Sequence, residues 1–401
     1  MANAEREAWI TGIGIVSTLG EGPDAHWQKL MAAQPAADTT TFAPYVVHPL
    51  APVNFDTQIP KKGDQRQMEA WQRIGTYAAG LALDSAGVKG KPEILSRMDM
   101  IVAAGGGERD LGVDSAIMSN IPRASDPAAY LNERLMSDLR PTLFLAQLSN
   151  LMAGNISIVH GVTGSSRTFM GEESSGVDAV RIALSRIVAG QSDIALVGGA
   201  YNAERPDVLM LNDFGSFCLH DRFAPVWQRG EKDGGLALGS LGAFLVLEGR
   251  DHAEKRGAKP LARLTAVLSD RSKRKPGDAT AALSRLWDKL KDKVKTSGTA
   301  LLSGASGAQP ATAEERAFLE ALSGFGGLAI RATGSYVGHG MEPSFPMNVA
   351  LATVALTHGS LFPPADSTGL ERPMSGELSQ VLVTSVGHWR GEGLALVERA
   401  G

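Results

Sequence analysis

Apolar positions along this chain fall into two patterns, short unbroken runs and longer stripes at helical spacing. Unbroken runs suit strands covered on both faces, because side chains pointing either way then meet nonpolar neighbours. Residues 194–199 (IALVGG) form such a run, and Met98–Ala104, Gly242–Glu248, Ala300–Ser303 and Gln380–Val386 read the same way. Trp9–Ser17 and Pro260–Leu268 are also expected to be strands, and Leu394–Glu398 closes a hairpin with Gln380–Val386. Helical spacing is clearest after Gly171, where Val177, Val180, Leu184 and Ile187 recur while Ala179, Ile182 and Ala183 fill most of the remaining surface. That helix is expected to be buried on most sides. Further helices are predicted around Met68–Ala86, over Ala281–Val294 and Ala313–Leu322, with a buried one over Phe345–Thr357. Leu143–Ala153 carries no charge and is read as a core helix running into a turn at Gly154-Asn155. Gln147, Ser149 and Asn150 leave it too short and too polar to span a bilayer. Strands alternating with helices imply an α/β architecture.

Composition adds bounds. The chain has 401 residues, 43% of them hydrophobic and 46 of them glycine, which suits a large α/β core with many tight turns. A net charge of −4 gives no overall pull towards nucleic acid. The single cysteine, Cys218, excludes an intrachain disulfide framework and fits a reducing compartment; it is expected to be a small buried hydrophobe. The N-terminal stretch is polar and leads directly into a strand, so a cytoplasmic protein with no integral membrane segment is expected. Neither Cys2His2 nor HExxH spacing occurs, which gives a metal site no support from the linear sequence. The densest basic run, Arg271–Lys275, precedes Pro276-Gly277 and reads as a solvated loop.

The stretch richest in chemistry is Gly171–Gly176. A tight glycine turn leading into a buried helix presents its central side chain at the positive end of the helix dipole, where enzymes activate a nucleophile and aim backbone N–H groups at an oxyanion. Here that position is Glu173. The plain alternative is that Glu172 and Glu173 are two acidic residues stabilising a helix N-terminus.

At these residues the chain resembles the β-ketoacyl-[acyl-carrier-protein] synthases, of 3-oxoacyl synthase II type and thiolase fold. The family's turn reads T-A-C-A-S-G, and its helix and strand end in G-G-A. This chain keeps Ser175-Gly176, Ala189-Gly190, Asp193 and Gly198-Gly199-Ala200. Trp9–Ser17 resembles the family's opening strand, and Leu247-Glu248, His252-Ala253 and Arg256-Gly257-Ala258 resemble its L-V-L-E…H-A…R-G-A. Ser335–His339 matches the end of K-S-x-x-G-H, and His358-Gly359 with Pro363-Pro364 matches R-H-G-x-x-P-P. The resemblance runs almost end to end. It implies duplicated thiolase-like halves, residues 1–249 with the nucleophile turn and 250–401, interleaved as one unit in a five-layer αβαβα sandwich.

The departures carry the functional reading. The family condenses acyl chains with a Cys-His-His triad, and the corresponding positions are Glu173, Ser303 and His339. The lysine of the second histidine motif is Gly334. The glycine-rich gate becomes Thr384–Glu392, bulky at Val386, His388, Trp389 and Arg390. A glutamate cannot replace the cysteine, since its acylation gives a mixed anhydride that is uphill from a thioester and quickly hydrolysed. Loss of cooperating catalytic groups commonly costs on the order of 10⁴ to 10⁶ in rate.

The resemblance then implies a chain-length-factor-like subunit of type II fatty-acid or polyketide-like elongation. Such a subunit is catalytically deficient, needs no cofactor, and pairs with an active synthase to shape the acyl tunnel. Acyl carrier protein is the implied partner, with a heterodimer expected and a homodimer as the other arrangement. The strand ending in Phe169 and Met170 is expected at the subunit interface, with those two side chains facing tunnel, partner or core. The alternative is an active acyl-thioester enzyme, a synthase, decarboxylase or hydrolase, rebuilt around Glu173, Ser303, His339 and His388. His339 is read either as facing the pocket or as a structural histidine, and His388 as a loop residue.

Overall fold

The computed structural model describes residues 6–230, 232, 234–322 and 328–400. Ten strands carry its main sheet: β1 (Ala8–Ser17), β2 (Asp99–Ala103), β3 (Ser166–Phe169), β4 (Ile194–Tyr201), β5 (Leu241–Gly249), β6 (Ala262–Asp270), β7 (Thr299–Ser303), β8 (Ala329–Ala332), β9 (Gln380–Val386) and β10 (Glu392–Glu398). A two-residue strand, Gly20–Glu21, folds back on β1. Across the sheet the order is β8-β7-β9-β10-β6-β1-β5-β4-β2-β3.

That order contains a repeat. The first five strands lie as β1-β5-β4-β2-β3 and the second five as β6-β10-β9-β7-β8, the same arrangement shifted by five. Pairing senses repeat too. β1–β5 and β5–β4 are antiparallel while β4–β2 and β2–β3 are parallel, and β6–β10, β10–β9, β9–β7 and β7–β8 follow suit. The sets touch where β1 meets β6, through only the pairs Trp9–Arg263 and Ile10–Ala262.

Helices complete the layers: α1 (Ala70–Ser85), α2 (Leu151–His160), α3 (Glu172–Val188), α4 (Pro206–Phe214), α5 (Asp278–Leu290), α6 (Ala311–Ala321) and α7 (Ser344–Thr357). Side chains on a strand alternate between faces, so neighbouring residues enter different cores. In β4, Leu196 packs with α1 and α2, while Val197 packs with α3 and α7. In β7, Leu301 packs with α5 and α6, while Leu302 returns to α3 and α7. The result is the αβαβα sandwich of the thiolase fold, with α3 and α7 as its middle layer. All positions of α7 from Phe345 to Leu356 are buried. Burial of each large apolar side chain contributes roughly 1.5–3 kcal/mol, which holds this helix between the two five-strand sets of the sheet.

The middle helices approach closely at their N-terminal ends. A Cβ built on Gly176 would stand 2.1 Å from the Glu342 carbonyl oxygen, so only glycine permits the contact. Two local expectations are corrected. Gly154-Asn155 is not a turn but part of α2, which ends instead at Gly161, whose φ of 76° is accessible to glycine without a Cβ clash. Arg271–Lys275 is not simply a solvated loop, because Arg274 pairs with the buried Glu392 and donates to the Gly387 and Gly391 carbonyls. Among the described residues, no helix is long and apolar enough to cross a membrane.

Candidate active site between the two central helices

Three chain segments converge at the N-terminal ends of α3 and α7. The first is the turn into α3. Gly171 has φ of 134° and Glu172 has φ of 51°, an uncommon conformation for a side-chain-bearing residue. Ser174 Oγ donates to the Gly171 carbonyl at 2.7 Å and Ser175 Oγ to the Glu172 carbonyl at 2.8 Å, which tightens the first turn. The second segment runs from Gly338 into α7, and His339 is fixed there by backbone bonds to Ala237 and Gly239. The third is the β9–β10 hairpin tip, which carries His388 and is held by Arg274.

Glu173 lies at the centre and is 1% exposed. Its Oε1 accepts from His339 Nε2 and His388 Nδ1, both at 2.8 Å, and from the His388 backbone N–H at 3.2 Å. Burial alone would push this carboxyl up, but the two imidazole contacts outweigh it and hold the group well below the usual carboxylate range. Glu172 and Glu173 do open the first turn of α3, but the buried, histidine-clamped Glu173 has more than a helix N-terminus to hold it. Nor is His388 merely a loop histidine; it joins Glu173 and stacks edgewise against Phe217 and at a tilt against Trp389.

The other candidates separate. Ser303 Oγ donates to Glu315 Oε1 at 2.6 Å, and Thr384 Oγ1 reaches the same oxygen, so Ser303 serves a buried polar knot beneath β7 and β9. The cavity against His339, lined by Gly304, Thr333, Gly334 and Asn348, measures only about 10 Å³, room for roughly one water. Phe169 is half-buried and packs on the central core, and Val386 is buried on the α5–α6 side. Met170 and Trp389 are 65% and 56% exposed, so neither is packed into the site. Arg390 also faces outward and pairs with Glu172 at 3.3 Å. Cys218 is buried, its thiol pushed up to about 12 by desolvation.

Sequence reasoning passed over Glu342. It is buried, its Oε2 has no hydrogen-bond partner, and burial together with the charges of Glu173 and Glu172 raises its carboxyl to about 7. The available signal was a lone acid three residues after His339, in a stretch otherwise free of charge.

A family model described as β-ketoacyl synthase, N-terminal domain, matches residues 5–253, well over half of the chain. The chain belongs to the β-ketoacyl synthase family. A 3-oxoacyl-[acyl-carrier-protein] synthase 2 of Vibrio harveyi is 27% identical over 277 residues, covering 65% of this chain and 62% of that protein. An oxytetracycline polyketide putative β-ketoacyl synthase 1 of Streptomyces rimosus is 25% identical over 380 residues, or 90% of this chain and 87% of its own length. The match to the Vibrio protein thus spans under two thirds of that relative. In solved structures the same fold appears in the ishigamide ketosynthase/chain length factor, with a TM-score of 0.79 at 19% identity, covering 99% of this chain and all of that one. Within the β-ketoacyl synthase fold, then, this site holds a glutamate bound by two histidines where the resemblance leads one to expect a thiol.

Proposed function

We propose that this β-ketoacyl synthase-family chain is a non-condensing, chain-length-factor-like subunit that pairs with an active synthase in type II fatty-acid or polyketide-like elongation. The observation that carries the reading is the Glu173 clamp. The position expected to hold an acyl-accepting thiol holds a buried carboxylate whose Oε1 is already engaged by His339 and His388. Ser303, at the other histidine position, is turned to Glu315, and the space beside His339 is closed down to about one water. On this reading acylation lacks its thiol, and enolate stabilisation lacks one of its two histidines.

The surface supports pairing. β3 is an edge strand whose Ser166 and Arg167 are exposed, and an open edge is a template for another chain. Beside that edge, Met170 directly after β3 and Ile158 on α2, which packs against β3, are exposed apolar side chains that a partner would cover.

Co-expression with an intact Cys-His-His relative tests the proposal. Native mass spectrometry is expected to find a one-to-one heterodimer, and exchange of this subunit for another is expected to change product length. A chain that stays apart from every such synthase would overturn it. A second reading, an acyl-thioester enzyme working alone, draws on one observation: Glu342 is a buried carboxyl whose Oε2 has no hydrogen-bond partner and which burial raises to about 7. Turnover of malonyl- or acyl-carrier protein by the purified chain, lost in Glu342→Gln, would replace the first reading with the second.

A further inference from the structure

The Glu173 clamp has a feature that hydrogen bonding alone leaves unexplained. A carboxylate offers about four lone-pair sites on two oxygens, and donors ordinarily spread over both. Here His339 Nε2, His388 Nδ1 and the His388 backbone N–H all converge on Oε1. Oε2 of the same buried group has no partner. Two imidazole nitrogens and a carboxylate oxygen, drawn from α3, the segment before α7 and the hairpin tip, lie within 4.8 Å of one another. We propose that Glu173, His339 and His388 form a binding site for one divalent transition-metal ion.

The donor set fits that ion class. Imidazole and carboxylate together suit zinc, cobalt, nickel, copper or ferrous iron, whereas magnesium and calcium favour all-oxygen cages. Ligands about 2.0–2.2 Å from a tetrahedral zinc stand roughly 3.3 Å apart, so each imidazole must withdraw from Glu173 by about 0.5 Å. Each ligating nitrogen must present its lone pair. A proton it carries therefore moves to the other ring nitrogen or is released to solvent.

Charge points the same way. Glu342 is a second buried carboxyl, also with an unpartnered Oε2, and its backbone packs on Gly176 of α3, within electrostatic reach of Glu173. Glu173 is paired only with the two histidines, and among the described residues Glu342 has no ion-pair partner. Buried charges are normally paired or bound to a metal, and a dication between the histidines offsets both acids. Three protein ligands leave a fourth position for water.

All ligands come from one chain, so the site is tested on the purified full chain alone, and its failure leaves the pairing proposal standing. After chelator treatment, Co²⁺ is expected to bind with one-to-one stoichiometry and visible bands of tetrahedral intensity, displaced by Zn²⁺. Zn²⁺ is expected to raise the unfolding temperature where Mg²⁺ at equal concentration does not. His388→Asn and Glu173→Gln are each expected to weaken Zn²⁺ binding by about 100-fold or more, at least the upper end of what losing an outer-shell partner costs, while Cys218→Ser binds as before. Circular dichroism checks that the variants fold. If the wild-type chain shows no saturable Co²⁺ spectrum, or if both ligand variants retain stoichiometric Zn²⁺, the proposal fails.

Discussion

The two halves share one strand order and one set of pairing senses, yet their outer edges are finished in opposite ways. β3 and β8 occupy equivalent places at the two ends of the sheet. β3 exposes Ser166 and Arg167, whereas every residue of β8 is buried. The second edge is sealed from within. Arg331 donates to the Phe362 and Arg372 carbonyls, and Glu371 accepts from the Ala332 and Ala365 amides, so the segment following α7 is bolted over β8. The same topology thus ends in a closed wall on one side and an open edge on the other. The proposed pairing, if it uses a sheet edge, therefore has only the first half's edge to use.

The halves also differ in how they meet acid, which gives the largest expected effect. Burial pushes His26 and His160 down to about 4 and His48 down to about 3, and all three lie before β6. Their folded forms bind fewer protons than the unfolded chain, so their contribution is complete above about pH 6.5 and is lost as pH falls from there towards 4. In the second half, burial raises the Glu315, Glu342 and Glu371 carboxyls, Glu342 to about 7. Those groups work with the opposite sign, contributing most below about pH 4.5 and losing that contribution as pH rises through their folded values. Hydrogen exchange, corrected for intrinsic rates, is expected to show the first half losing protection between pH 6.5 and 4, on the order of several kcal/mol, before the second. Equal loss in both halves would erase the contrast.

Breaking the sealed edge comes next. Glu371→Ala leaves the buried Ala332 amide and the part-buried Ala365 amide unpaired and removes the charge that most favours the Arg331 guanidinium, so chemical denaturation is expected to show a loss of about 3 kcal/mol. A somewhat smaller loss, about 2 kcal/mol, is expected for Gly176→Val, because a Cβ there forces α3 away from Glu342 and the site's two walls apart. The open edge should behave differently again. The double substitution Met170→Glu with Ile158→Glu changes two exposed side chains, so stability is expected to move by about 0.5 kcal/mol or less. Association with the partner synthase in a pull-down is nevertheless expected to weaken at least tenfold. If association is unchanged, the open edge is not the pairing surface.

Much of the architecture was legible before any coordinates. The apolar run at Ile194, the helical stripe from Val177 to Ile187 and the buried stretch from Phe345 to Thr357 report directly on burial, because period 2 and period 3.6 mark which faces avoid water. Their ends shifted by a few residues, as caps depend on single side chains and local φ. The turn at Gly154-Asn155 was misjudged for a related reason, since a glycine on a helix surface looks the same in sequence as one that ends it. The site was legible only in part. Glu173 and His339 stand on family motifs, but the clamp also needs His388, which lies 215 residues from Glu173. The turned-away Ser303 depends on Glu315 of α6, whose carboxylate also takes Thr384 of β9, a meeting of β7, α6 and β9 that no local spacing encodes.

Sequence by itself determined the alternation of buried strands and helices, the family to which the chain belongs, and the absence of a thiol from the turn at Gly171. Those properties follow from side-chain chemistry and near-neighbour periodicity. The tertiary structure alone decided that Glu173 is a clamped carboxylate, that Trp389 and Met170 point to solvent, and that only one of two equivalent sheet edges is open. Each of those depends on where distant segments meet and on which polar atoms their burial leaves to be satisfied, and side chains far apart along the chain carry no mutual signal until the backbone brings them together.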